Sequence, residues 1–541
     1  MQRHVPGILI VPVVGAVLTL AGATRASAAT CEGLMSWSLQ NAVVTTVQAV
    51  APGAFAPPAP AANAPGRAGA ADGRGGAAGG RGGAGGRAGG PQFTDLPAFC
   101  RVTGTTKTSP TSSVKFEVWM PTADRWNGNF MANGFAFYGG TMNPGVLAGA
   151  LRQGYATATT DAGGDGTNAA AYMSGNPEKV ADWNERAWHE TTLVAKALMA
   201  AYYGNGPKVS YWEACGGGTR QALKEVARFP TDYDAVAAGG LSNGTTFFTF
   251  AQIWQWEATH KDPASLIPRE KLQVLNQAAM NACDAKDGLT DGLLSDPERC
   301  TFDPGVLQCS GTDTATCLTA AQVQAARKMY SPVVNPRTRQ IISGPLMPGT
   351  ELSWNSNPSE APTGFAADFF RHLVFQNPAW DYRTRPINYD ADVRLANRAE
   401  IGAISAVEPD VRAFLDRGGK LLMYVGWNDT AIPPLDATRY YQNMVSTVGR
   451  ARAEAGVRLF MVPGMGHCPA NANATSGFVF DPNPIITQWK EAGKVPNQIL
   501  VTRRTAGAED RPMLVCPYPQ LATYTGTGNI NDAANFVCSA R

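Results

Sequence analysis

Between residues 211 and 227 the chain passes from a strand pattern to a helix pattern with only small residues to turn on. Few folds accommodate so abrupt a corner. Val209, Tyr211 and Glu213 alternate with Ser210 and Trp212 in a β-favouring run, and Gln221-Ala222-Leu223-Lys224-Glu225-Val226-Ala227 is helix-forming. Ala214-Cys215-Gly216-Gly217-Gly218 makes the corner between them. A strand turning this sharply into a helix holds its corner residue out at the end of a sheet, the arrangement of the small-x-Ser-x-Gly nucleophile elbow. Here the small residues are Ala214 and Gly218 and the corner is Gly216, so the layout is present without the hydroxyl.

The partners that such an elbow requires follow downstream. Asp429 comes after the apolar run Leu421-Leu422-Met423-Tyr424-Val425, and His467 after Leu459-Phe460-Met461-Val462. Each stands just past a buried strand, where open α/β sheets keep their sites. Elbow, acid, histidine is the chain order of α/β hydrolases. Residues 114–120, 129–134 and 156–161 read as strands and 189–203 as a helix with Leu193, Ala197, Leu198 and Ala201 on its apolar face. Strands alternating with helices predict an α/β class fold, a mostly parallel sheet covered on both faces. After Gly244 the alternation stops until roughly Arg394, which is where α/β hydrolases carry an inserted lid. The division predicted is a hydrolase domain over 29–240 and 395–541, with a lid over 241–394.

These stretches resemble the tannase and feruloyl esterase family, whose pattern is Cys-Ser at the elbow, an Asp, and His-Cys, with the two cysteines bridged beside the triad. Cys215, Asp429 and His467-Cys468 match it. So do Trp126-Asn127-Gly128, Arg220-Gln221, Arg228-Phe229-Pro230 with Asp232-Tyr233-Asp234, Trp427, and Val462-Pro463-Gly464-Met465-Gly466. The chain departs from the family at Ala214 and Thr219, usually Gly, at Gly217, usually Thr, and at Gly216, the nucleophilic Ser. Only the last departure removes chemistry. The resemblance implies a carboxylic-ester hydrolase whose partner is a small aromatic, phenolic ester, with Gly134 and Gly217 as the N–H donors of an oxyanion hole. It also pairs Cys31 with Cys100, Cys215 with Cys468, Cys283 with Cys300, Cys309 with Cys317, and Cys516 with Cys538. His189 resembles a family histidine on the helix before the elbow strand and reads as a satisfied structural residue.

Cys283-Asp284-Ala285-Lys286-Asp287-Gly288-Leu289-Thr290-Asp291-Gly292-Leu293 places three carboxylates at regular spacing, with glycines that let a loop curl and present carbonyls. That donor chemistry suits a hard cation, although the spacing is not that of an EF-hand. The resemblance implies structural Ca²⁺ held by the side chains of Asp284, Asp287 and Asp291 and the carbonyls of Leu289 and Leu293. The lid also carries Phe247, Phe248, Trp254, Trp256, Phe369, Phe370 and Trp380, predicted to be mostly lid core with a few lining an aromatic acyl pocket.

The beginning of the chain reads as a processing signal: Arg3 and His4 precede an apolar run from Ile8 to Leu20, and Ala26-Ser27-Ala28 offers the small-x-small pattern of a cleavage site. A signal peptide over 1–28 implies a secreted protein, and in an oxidising compartment an even count of ten cysteines favours disulfides whose connectivity spacing alone leaves open. Residues 51–91, rich in Pro, Ala, Gly and Arg, have little to bury and are expected to be disordered. Gly-Arg repeats bind RNA in other settings, but in an exported chain a solvated loop is the simpler reading. A net charge of +2 gives no argument for nucleic acid or an anionic membrane.

Three residues are candidates to replace the missing hydroxyl, each needing to lie about 2.6–3.2 Å from His467. Cys215 requires a shifted register and leaves Cys468 unpaired. Ser242, in Gly240-Leu241-Ser242-Asn243-Gly244, satisfies the elbow pattern literally but follows the next strand over. Thr219 lies in the first turn of the helix. The remaining alternatives are direct activation of water by His467, or a relative that binds phenolic esters without cleaving them.

Overall fold

The computed structural model describes residues 28–57, 93–135, 137–164, 166–167, 169–357, 359–398, 403–470 and 474–540. The signal segment, apart from Ala28, and most of the Gly/Arg-rich stretch lie outside the described residues.

Nine strands make the central sheet: β1 (Ala42–Val50), β2 (Phe99–Thr106), β3 (Val114–Pro121), β4 (Phe130–Ala132), β5 (Ala156–Thr160), β6 (Ser210–Cys215), β7 (Ala235–Gly239), β8 (Lys420–Gly426) and β9 (Val457–Val462). Their order is β1-β2-β3-β5-β4-β6-β7-β8-β9. β1 pairs with β2, β2 with β3 and β3 with β5, all antiparallel, and from β5 through β4 to β9 every pairing is parallel. The parallel part is covered on both sides, so β7 is buried throughout and β8 from Leu421 onward, and both read as unbroken apolar runs. Alternation sends neighbouring side chains to opposite faces. Trp212 accordingly belongs to one buried cluster with Phe116, Val236 and Met423, while Tyr211 belongs to another with Ala237, Tyr424 and Trp489.

Helix α1 (Ala187–Tyr203) precedes the elbow strand. Its buried face runs through Thr191, Ala195 and Leu198, at helical spacing, whereas Leu193 falls between those rows and is 46% exposed. Thr191 and Thr192, both fully buried, therefore take the place the apolar pattern gave to Leu193. The edge expected to be disordered from residue 51 is packed at its leading end. Phe55 is buried with its ring 5.1 Å from Phe93 and 4.5 Å from Trp119, because one aromatic ring suffices to close the pocket under β2 and β3. Residues 58–92 lie outside the described residues.

Between β7 and β8 the chain carries helices α3 (Thr245–His260), α4 (Arg269–Cys283) and α5 (Ala320–Met329) among long connecting loops. Ala258, Leu272, Leu275, Val323, Ala326 and Trp354 form a core of their own there. Of the aromatic residues expected in this segment, Phe248, Phe369, Phe370 and Trp380 are buried, and Trp254 and Trp256 donate their indole N–H to the carbonyls of Lys328 and Glu360. The two ends of the insertion are stitched together: Ala406 N–H donates to Asn243 O at 2.8 Å, and Asn243 Nδ2 donates to Ala406 O at 3.3 Å.

All ten cysteines are bonded, in the pairs Cys31–Cys100, Cys215–Cys468, Cys283–Cys300, Cys309–Cys317 and Cys516–Cys538. These are the pairs that the family resemblance implied. No described helix is long and apolar enough to cross a membrane.

Candidate active site

β6 runs into the corner, and helix α2 (Gly217–Arg228) leaves it with no intervening loop. Gly216, between them, has φ +71° and ψ −127°, a conformation that costs an L residue on the order of 1–3 kcal/mol. Its N–H donates to Gly239 O of the neighbouring strand end at 2.9 Å, which fixes the corner to the sheet. Gly218 and Gly134 lie back to back, since a Cβ on Gly134 would come within 2.6 Å of the Gly218 Cα. A side chain on either would push the 133–135 loop off the first turn of α2. Gln221, one helical turn beyond Gly217, then brackets that loop: its Oε1 accepts from Phe135 N–H at 2.9 Å and its Nε2 donates to Phe135 O at 3.0 Å. At the first position of α2 the Gly217 N–H has no acceptor within the helix.

The histidine arrives from the far side of the sheet. His467 Nδ1 is 2.7 Å from Asp429 Oδ2, and the fully buried Asp429 accepts from Ala431 N–H at 2.8 Å and Ile432 N–H at 3.0 Å through Oδ1. With Oδ1 taken by two backbone donors, Oδ2 accepts from the imidazole, which assigns the ring proton to Nδ1 and leaves Nε2 as the acceptor. Burial pushes the imidazole down, but the charge and hydrogen bond of Asp429 more than offset it, so His467 titrates above its ordinary value of 6.5. Nε2 points at the corner: a Cβ built on Gly216 would stand 2.8 Å from it. The Cys215–Cys468 bridge, with Cα atoms 5.9 Å apart, ties the elbow to the histidine loop across 253 residues of sequence. It also removes the Cys215 thiol from any nucleophilic role, since its sulfur is already bonded.

The two hydroxyls near the corner meet the Gly216 carbonyl. Ser242 Oγ donates to Gly216 O at 2.6 Å, Thr219 Oγ1 donates to the same oxygen at 2.7 Å, and Ser242 N–H donates to Thr219 Oγ1 at 2.9 Å. This clamp on the corner was not legible in the sequence. The Gln221 bracket was equally hidden, although its place one turn after Gly217 was a signal that could have found it. His189 lies elsewhere, at the start of α1, with Nδ1 2.7 Å from Asp232 Oδ2 and its ring 3.9 Å from that of Phe229.

In the acidic loop, Asp284 Oδ2 accepts from Gly292 N–H at 3.0 Å, Asp287 from Leu289 and Ser295 N–H, and Asp291 Oδ1 from Leu293 N–H. Gly288 and Gly292 take φ +94° and +73°, which curls the loop. Asp284 Oδ1 is buried with no protein partner, burial pushes the Asp287 carboxyl up, and Arg511 meets Asp291 Oδ2 at 2.6 Å. An oxygen-only donor set with an orphaned carboxylate oxygen fits a hard divalent cation.

A parallel sheet with an elbow at the end of β6 and, one strand further over, an Asp just past β8 and a His just past β9 is the architecture of an α/β-hydrolase esterase. Comparisons with known proteins narrow this class. The family model for tannase and feruloyl esterase matches residues 100–539, and the chain belongs to that family. An uncharacterized esterase of Xanthomonas campestris is 32% identical over 97% of this chain and 93% of its own. The mono(2-hydroxyethyl) terephthalate hydrolase of Piscinibacter sakaiensis is 29% identical, with 79% and 81% covered. The crystal structure of feruloyl esterase B from Aspergillus oryzae superposes with a TM-score of 0.80 at 27% identity, covering 94% of this chain and 99% of that one.

Proposed function

We propose that this chain is a secreted carboxylic-ester hydrolase for small aromatic, phenolic esters that works without a covalent nucleophile. The observation carrying the reading is that His467 Nε2 faces the side-chain-free corner at Gly216, 2.8 Å from where a Cβ would stand. A water beside Gly216 gives a proton to Nε2 as its oxygen adds to the ester carbonyl carbon. The oxyanion that forms is received by the N–H groups of Gly134 and Gly217. Collapse breaks the bond to the leaving alkoxide, which takes the proton back from the imidazolium, and the acid departs without an acyl-enzyme. Ser242, its hydroxyl engaged at the Gly216 carbonyl, serves in this reading to position the corner. Phenolic specificity is supported by the relatives named feruloyl esterases, and secretion by the five disulfides. The test is hydrolysis of methyl ferulate by the purified chain and by its His467→Ala variant: equal rates in both would remove the imidazole from the chemistry.

One observation favours a second reading, a binder of phenolic esters that does not cleave them. The imidazole stands within 2.8 Å of where a Cβ would be, so the ring itself takes up room next to the corner. Saturable binding of ferulate esters with no turnover under the same assay would select it.

The pH profile follows from the direction of the His467 shift. Only the neutral imidazole takes a proton, so the rate should be highest on the alkaline side and fall as pH drops through a midpoint above 6.5. A midpoint below that value would mean that Asp429 does not govern the ring. The acidic loop, in turn, would hold Ca²⁺ by Asp284, Asp287 and Asp291 and the carbonyls of Leu289 and Leu293, where the ion supplies fixed charge to the lid. Chelation by EGTA should then lower the melting temperature, and millimolar Ca²⁺ restore it, as expected of a ligand that binds only the folded chain. A melt indifferent to both additions would leave Arg511 as the loop's counter-charge.

A further inference from the structure

A second cluster of ligating side chains lies at the opposite end of α2 from the corner, where the chemistry above makes no use of it. His189 of α1, Glu225 near the C-terminal end of α2, and Asp232 on the loop leading to β7 each present one ligand atom, all within 4.8 Å of one another. Glu225 is 1% exposed, and neither of its carboxylate oxygens has a hydrogen-bond partner among the described residues. Asp232 is 3% exposed, so two carboxyl groups are buried side by side. A buried carboxylate left without a proton or a cation is strongly disfavoured. The nearest ammonium does not supply the cation: Lys196 Nζ donates to the backbone carbonyls of Thr231 and Asp232 instead. The His189 side chain, 25% exposed, connects the cluster to solvent.

We propose that His189, Glu225 and Asp232 form a site for a first-row divalent cation of the zinc type. One imidazole nitrogen and two carboxylate oxygens suit a borderline ion, and water would complete a tetrahedral shell. Ligand atoms about 2.1 Å from one ion stand roughly 3.4 Å apart, so the side chains close by a rotamer-scale adjustment. In binding, His189 Nδ1 exchanges its hydrogen bond to Asp232 for the metal, its proton moving to Nε2. A proton on Glu225 is released to solvent. The ion would fasten α1 to the far end of the elbow helix and so brace the corner from behind.

Cobalt(II) is a direct probe, because an imidazole-bearing site gives it a visible absorption band and no free thiol competes, all ten cysteines being bonded. The untagged full chain, held in excess Ca²⁺ to keep the acidic loop supplied, should take up a single equivalent of Co²⁺ with a rise in melting temperature, displaceable by Zn²⁺. Glu225→Gln and His189→Gln, checked for native circular dichroism, should lose the band. A folded parent chain that binds no Co²⁺ would overturn the proposal and leave a protonated Glu225 as the answer. Uptake that persists unchanged in His189→Gln would overturn it as well.

Discussion

Gly216→Ser should raise hydrolysis of methyl ferulate about 10³-fold or more and introduce a burst of released alcohol, the mark of an acyl-enzyme. Loss of a triad nucleophile costs on the order of 10⁶ in turnover, which is about 8 kcal/mol of barrier. Against this stand two local penalties. A φ of +71° costs an L residue roughly 1–3 kcal/mol, and the new Cβ meets Nε2 at 2.8 Å, so the imidazole must back away from the corner. Because Asp429 anchors that ring at 2.7 Å, the retreat is an off-rotamer turn worth about 0.5–1.5 kcal/mol. Even if the whole strain fell on the transition state, about 10³ would survive. An unchanged rate in a variant that folds and melts like its parent would show that residue 216 is not the nucleophile position.

The second large effect concerns the base. His467→Ala in the parent chain should lower hydrolysis by about 10²–10⁴, since a positioned general base contributes on that scale. Asp429→Asn should lower it by a similar factor, up to about 10⁴, while leaving the fold in place. The reason is the tautomer: an amide at 429 no longer fixes the proton on Nδ1, and Nε2 loses its acceptor character for part of the time. Ser242→Ala, by contrast, should change the rate only a few-fold. It removes one hydrogen bond to the Gly216 carbonyl, worth about 1 kcal/mol of stability, while Thr219 keeps hold of the same oxygen. A rate that collapses in Ser242→Ala and survives in His467→Ala would move the chemistry to the neighbouring strand end.

What the sequence disclosed and what it hid divide along the range of the interactions. The corner was legible because its determinants are local: β-favouring residues to Glu213, glycines at 216 to 218, helix formers from 221. Strand ends were legible too, since parallel strands buried on both faces leave unbroken apolar runs, and Asp429 and His467 follow such runs. Leu193 and Phe55 misled for a converse reason. Whether an apolar side chain is covered depends on which row of a helix meets the sheet, or on a pocket built by residues far along the chain, and neither is written nearby. The same holds for the Thr219–Ser242 clamp and for Gln221 reaching across to Phe135, 86 residues away in sequence. Side chains that act on distant backbone leave no periodic trace.

The stitched ends of the insertion carry a consequence for how such a chain changes over time. Asn243 and Ala406 clasp each other, and Ser405 Oγ bonds to both the N–H and the hydroxyl of Thr246, so the insertion leaves and rejoins the sheet through a narrow neck. β7 and β8 pair directly beneath that neck. The insertion is thus pinned at its root, and its inner aromatic residues share the core of the sheet. Changes of length are tolerated best in its outer helices, which pack on a core of their own, while the elbow, Asp429 and His467 hold their places.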